Sequence, residues 1–145
     1  MTRPPLTPHI DSLRPVLIVE DDPLQALALE DVVIRAGMKP LAASDCETAR
    51  RYVTSCGLVA GILDVALTRH HTCFSVADEL DRRGVPFLFV SGYSADAIPE
   101  PHRSRPYLMK PWVSDEVIRT LQAMISEAGQ RKEEARRNWL VHERR

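Results

Sequence analysis

Residues 16–23 read Val-Leu-Ile-Val-Glu-Asp-Asp-Pro. Four consecutive apolar residues, most of them β-branched, do not alternate with polar ones. A strand built from them has no face to give to water and belongs inside a parallel sheet. The acids end the run, and Pro23 suits the first turn of a helix. Gln25, Ala28, Leu29, Val32, Val33 and Ala36 then recur at helical spacing until Gly37. Strand, turn and helix make one βα unit, the building block of doubly wound sheets.

The same grammar repeats along the chain. Residues 39–43 predict a short strand, and Asp45 caps a helix that runs through Val53 and Cys56 to Gly57. Residues 58–63 form the next apolar run, closed by Asp64. Val76, Ala77 and Leu80 predict a helix over 75–83 that stops at Gly84, and 86–90 is another buried strand. Pro99, Pro101 and Pro106 crowd the following stretch and confine the fourth helix to about 94–98. Tyr107, Leu108 and Met109 give a fifth strand. Ser114 caps a last helix, with Asp115 and Glu116 at its positive end and Val117, Ile118, Leu121, Met124 and Ile125 along its apolar face. Five such units predict an α/β fold, a doubly wound five-stranded parallel sheet with helices on both faces.

The 145 residues allow one domain and a tail. A chain 44% hydrophobic and 27% charged buries a core and is not a disordered segment. Nineteen Lys and Arg against twenty Asp and Glu give a net charge of -1, so no overall field draws the protein to nucleic acid or an anionic membrane. No apolar run approaches a bilayer span and 1–15 lacks a signal-peptide core, which makes a cytoplasmic location the expectation. Cys46, Cys56 and Cys73, without CxxC spacing, read as reduced thiols. The divisions expected are a Pro-rich leader over 1–14, the domain over 15–128, and a charged tail or helix extension over 129–145.

In open parallel sheets ligands bind beyond the carboxyl ends of the strands. Those ends carry Glu20, Asp21 and Asp22, then Asp64, Ser91 and Lys110. Gathered carboxylates repel unless a cation joins them, and an oxygen-only donor set suits Mg²⁺. With Lys110 and Ser91 added, the site suits a phosphoryl group, whose charge the cations neutralise and whose oxygens a hydroxyl reaches. Asp64 then reads as a nucleophile that forms an aspartyl phosphate. Singly, each residue has a plain structural role: an acidic helix start, a strand-end cap, a turn serine, a loop lysine. Their joint placement on the strand ends is what those roles leave unexplained.

Val-Leu-Ile-Val-Glu-Asp-Asp-Pro at 16–23, Asp64 after Gly61-Ile62-Leu63, Val90-Ser91-Gly92, and Tyr107-Leu108-Met109-Lys110-Pro111 together resemble the receiver domain of two-component response regulators. The resemblance spans about 14–128. It implies a flavodoxin-like fold with strand order 2-1-3-4-5 and a stand-alone receiver. It further implies Asp64 as phosphoacceptor, Glu20, Asp21 and Asp64 as ligands of Mg²⁺ with the backbone carbonyl of Ala66, and Lys110 as the phosphoryl's partner. Ser91 and Tyr107 become the switch hydroxyl and switch aromatic, and the bond to Pro111 a candidate cis peptide. Asp22 matches no ligand of the family and reads as a helix cap or a solvated acid.

The chain also departs from the family. Receivers typically carry Pro four residues after the phosphoacceptor and Gly eight after, where this chain has Thr68 and Thr72. The nearby His70, His71 and Cys73 lack a fourth ligand and read as loop residues rather than a metal centre. Phe89-Val90-Ser91-Gly92-Tyr93 is similar to a single-domain subgroup with Thr-Gly-Tyr after the fourth strand, Ser91 standing for the Thr. That subgroup implies histidine kinases of the HWE or HisKA2 type as partners, with a histidine phosphotransfer protein the other donor class.

Beyond Ala128 no DNA-binding or catalytic module is expected, which leaves protein contact or phosphoryl flow as output. Residues 131–145 hold six basic residues and three acidic ones. Leu121, Ile125, Ala128, Lys132, Ala135 and Trp139 alternate by four and three, so the last helix either continues past Gly129 or frays there, since Gly costs about 1 kcal/mol. A continued helix would serve partner docking or homodimer formation through Trp139, Leu140 and Val141. On the first helix Leu24, Leu27 and Ile34 fall outside the core stripe and suit docking of a kinase or phosphotransfer helix. The competing function is a non-phosphorylated adaptor of the same fold that acts through its tail. A phosphatase of external substrates lacks the second spaced aspartate it would need.

Overall fold

The computed structural model describes residues 14–65 and 74–143. Five strands, β1 (Pro15–Val19), β2 (Lys39–Ala43), β3 (Ala60–Asp64), β4 (Phe87–Ser91) and β5 (Tyr107–Met109), form one sheet in the order β2-β1-β3-β4-β5. All pairs are parallel, with Leu17 opposite Leu41 and Gly61, Ile62 opposite Leu88, and Val90 opposite Leu108. The helices are α1 (Pro23–Arg35), α2 (Cys46–Ser55), α3 (Phe74–Arg82) and α4 (Ser114–Glu143).

The inner strands β3 and β4 are buried at every position, as unbroken apolar runs require, and Pro40 lies on the edge strand β2. Side-chain alternation divides the core in two. Leu17, Val19, Leu63, Phe87 and Phe89 pack under α2 and α3 with Val53, Val76 and Leu80. Val16, Ile18, Ile62, Leu88 and Val90 pack under α1 and α4 with Leu29, Val33, Val117 and Leu121. Of the glycines, Gly61 alone has close neighbours: a Cβ there would stand 3.2 Å from Leu80 Cδ1. Gly37, at φ 80°, takes the left-handed conformation that ends α1.

Two elements refine the sequence reading. The short fourth helix is a pair of 3-10 turns, Ala95–Ala97 and Glu100–His102. Pro99 and Pro101 lack the N–H groups that would join them. Ser94 caps the first turn, its Oγ accepting the Asp96 N–H at 3.3 Å. The second turn is tied down by buried His102, whose Nε2–H donates to Asp78 Oδ1 at 2.6 Å while its ring meets Phe87 edge-on. The last helix continues through Gly129 to Glu143 as one helix of 30 residues, about 45 Å long at 1.5 Å per residue. Its buried residues are Val117, Leu121 and Met124; from 129 onward every described residue is exposed. Residues 1–13, most of the Pro-rich leader, lie outside the described residues, as do 66–73 with Thr68, His70, His71, Thr72 and Cys73.

Candidate functional site

Parallel strands all release the chain at one edge of the sheet, and that edge gathers the candidate residues. Glu20, Asp21 and Asp22 follow β1, Asp64 ends β3, Ser91 ends β4 and Lys110 follows β5. Because β1 and β3 are neighbours, Val19 lies opposite Leu63 and the acids that end the two strands adjoin. Glu20, Asp21 and Asp64 each present a carboxylate oxygen within 4.8 Å of the others. Glu20 and Asp64 are buried and Asp21 half-buried.

Lys110 reaches this group from the edge strand. Its backbone N–H donates to Ser91 O at 2.8 Å, which continues the β4–β5 ladder one step past β5. Its Nζ donates to Glu20 Oε2 at 3.1 Å and Asp64 Oδ2 at 3.0 Å. The peptide bond between Lys110 and Pro111 is cis.

The electrostatics are those of too many acids for one ammonium. Burial pushes the Glu20 carboxyl up to about 7, and the charge of Asp64 adds to it; the hydrogen bonds from Lys110 and the Asp22 N–H only partly oppose this. Burial pulls Lys110 down, but its hydrogen bonds to Asp64 and Glu20 outweigh that and hold its ammonium above the ordinary lysine value. A hard dication relieves the remaining excess of negative charge, and this all-oxygen donor set fits Mg²⁺.

Asp22 does something else. Its Oδ1 accepts the Leu24 N–H at 2.9 Å and caps α1, while Gln25 Nε2 donates to Oδ2 at 3.1 Å. The Gln25 hydrogen bond, followed by that from Leu24, keeps its carboxyl below the usual range. The three consecutive acids are thus two site residues and a helix cap.

Ser91 is fully buried at the end of β4, its Oγ accepting the Tyr93 N–H at 3.0 Å. Tyr107 stands opposite Phe89 and packs against the α3-side core, its buried hydroxyl without a hydrogen-bond partner among the described residues. Ala66 lies outside the described residues. One neighbour was not singled out from sequence: Trp112, which with Leu24, Gln25, Ala28, Lys110 and Pro111 lines a groove of ≈ 570 Å³ beside the pocket. An aromatic two residues after the lysine was the available signal.

Among solved structures, the solution structure of SdrG from Sphingomonas melonis Fr1 is 37% identical, covers 78% of this chain and 97% of its own, and superposes with a TM-score of 0.69. A response regulator receiver domain protein (CheY-like) from Methanospirillum hungatei JF-1 matches at 17% identity over 83% and 99%, TM-score 0.73. A response regulator receiver protein from Sinorhizobium medicae WSM419 matches at 18% identity over 80% and 97%, TM-score 0.71. No family model and no curated protein matches the chain. With the fold, the strand order and these likenesses in hand, the chain belongs to the response regulator receiver family. Receivers are signalling proteins of two-component systems rather than enzymes acting on a separate substrate. Among the described residues no helix is long and apolar enough to cross a membrane.

Proposed function

We propose that this receiver accepts a phosphoryl group on Asp64 from a phosphohistidine and signals through protein contact or onward phosphoryl transfer. The observation that carries the reading is the Lys110 ammonium held between Glu20 and Asp64 at 3.1 and 3.0 Å, with Asp21 in reach of the same point. In the step itself an Asp64 carboxylate oxygen attacks phosphorus, the phosphorus–nitrogen bond of the donor breaks, and its electron pair leaves with the imidazole. Lys110 turns from Asp64 to the incoming phosphoryl oxygens, where its fixed charge offsets theirs. Glu20, Asp21 and Asp64, with the Ala66 carbonyl, would hold Mg²⁺, which supplies charge neutralisation at the transferring group.

Ser91 serves as the switch hydroxyl. Buried on the strand end with its Oγ accepting the Tyr93 N–H, it moves its hydroxyl toward the phosphoryl group and donates its O–H there, and Tyr107, whose hydroxyl has no hydrogen-bond partner among the described residues, follows by a rotamer change. The donor is a sensor histidine kinase, of the HWE or HisKA2 type by the resemblance around Ser91-Gly92-Tyr93, or a histidine phosphotransfer protein. Its helix docks on exposed Leu24 and Leu27 beside the groove that leads to Lys110.

Intact mass after incubation with Mg²⁺ and a small phosphodonor tests this. One phosphoryl adduct is expected, absent with a chelator and absent in Asp64→Asn. No adduct, even from a panel of histidine kinases, overturns the reading in favour of the adaptor.

A further inference from the structure

Two apolar helix stripes face water, and each supplies what the other lacks. On α1, Leu24, Leu27 and Ile34 are exposed, and with Ala28, Glu30 and Asp31 they line a shallow groove. This groove is apolar with an acidic margin. Leu24, Leu27, Asp31 and Ile34 are spaced three, four and three apart, the spacing of a seam between helices that cross at a shallow angle.

The second stripe is on the exposed end of α4. Ala128, Lys132, Ala135 and Trp139 are spaced four, three and four apart. At 3.6 residues per turn they share one side of the helix, with Arg131 and Arg136 at its margins and Glu133 and Glu134 on the opposite side. The start of this side faces the body across a cleft of ≈ 330 Å³, where Val85, Pro86 and Arg105 meet Ala128, Arg131, Lys132 and Ala135. Asp81 in that cleft is already engaged by Arg105. Past that cleft the exposed Trp139 side is apolar, with Arg136 at its margin.

The α4 of one molecule does not fold back onto its own α1 stripe. It packs on the other side of α1 through Val117 and Leu121 against Leu29 and Val33. It then runs outward, placing Trp139 about 22 Å beyond Met124 at 1.5 Å per residue.

We infer that the occupant of the α1 stripe is the α4 end of a second copy of this chain. Trp139 packs among Leu24 and Leu27, and Arg136, one turn from Trp139, faces Asp31 and Glu30. The salt link from Arg35 Nε to Asp31, 3.2 Å long and exposed, is shared or exchanged in the process. Every copy carries both stripes, so two molecules exchange their α4 ends about a two-fold axis. Leu24 also borders the groove leading to Lys110. Self-association therefore covers the approach to Asp64 and competes with the phosphodonor, a consequence that rests on the reading of Asp64 as phosphoacceptor.

The test is light-scattering mass against concentration, micromolar to submillimolar, for the full chain, Leu27→Glu, Trp139→Glu and an equal mixture of the two variants. Both substitutions are at exposed positions, and circular dichroism checks that each variant is folded. The wild type is expected to rise from monomer toward dimer mass, each variant alone to stay monomeric, and the mixture, with one of the two seams intact, to regain a dimer fraction above either variant alone and below the wild type at the highest concentrations. Recovery follows because the mixture keeps one intact pair, Trp139 of the first variant on Leu27 of the second. A wild type that stays monomeric overturns the inference, as does dissociation by only one variant, by neither, or a mixture that stays monomeric. The mass readout does not depend on phosphorylation: absence of an adduct with dimers present removes the signalling role alone.

Discussion

The strand-end pocket and the far end of α4 break the ordinary rule of burial in opposite directions. In the pocket Glu20 and Asp64 are withdrawn from water around Lys110. On α4 beyond Gly129, Trp139, Leu140 and Val141 are left in water among solvated arginines. Stability of the fold explains neither, since buried acids cost free energy and exposed apolar groups contribute none. Both arrangements fit the readings proposed above, a phosphoryl group with its cation in one place and another polypeptide in the other. Places where local physics and the fold disagree are where function is written.

The largest expected effect separates the anchored from the extended half of α4. Leu121→Ala removes a fully buried side chain from the α1–α4 core and should cost about 3 kcal/mol of unfolding free energy in a urea titration. Trp139→Ala in monomeric protein should change it by less than about 0.5 kcal/mol. A large loss from Trp139→Ala would mean that the extension packs on its own domain and would erase the contrast.

The next effect belongs to the pocket. Glu20 has a folded pKa near 7 against 4.5 for the ordinary group. Between these values the folded state binds the extra proton, so metal-free stability falls as pH rises through that window and stays low above it. Glu20→Gln should remove this slope and stabilise the metal-free protein by about 2 kcal/mol at pH 8. Equal pH dependence of the two proteins in chemical denaturation would show that Glu20 is not strained. Mg²⁺ should stabilise the wild type and leave Glu20→Gln little changed.

Smaller still, Gly129→Ala replaces a helical glycine whose Cβ position is open and should stabilise α4 by about 1 kcal/mol, seen as slower amide exchange over 126–135. Unchanged exchange would mean that the extension is held by something other than its own helix propensity.

Much of this was legible in the chain. The five strands could be read because runs such as 16–19 and 87–90 have no polar face, and a parallel sheet is the structure that buries both faces of its strands. The site could be read because each chemical group stands directly after such a run, so naming the strand ends named the residues. Other features were legible only in part. The division of Glu20, Asp21 and Asp22 into two pocket acids and a cap depends on where the strand stops and the helix starts, and Asp22 is the residue whose oxygens meet the Leu24 and Gln25 donors. The two 3-10 turns in place of a fourth helix follow from prolines, but the anchoring of the second by His102 on Asp78 joins positions 24 apart.

By itself, then, the sequence determined the order of strands and helices and the set of groups at the strand ends, because periodicity and turn chemistry act over a few residues. The tertiary structure decided which groups meet. Lys110 reaches Glu20 across 90 positions only because a parallel sheet delivers both chain segments to one edge. It also decided where α4 stops being core. The helical pattern runs unbroken through Gly129, but the sheet is finite: Met124 is the last buried residue of the helix, and after the cleft that Ala128, Arg131, Lys132 and Ala135 share with Val85, Pro86 and Arg105 the helix has left the domain.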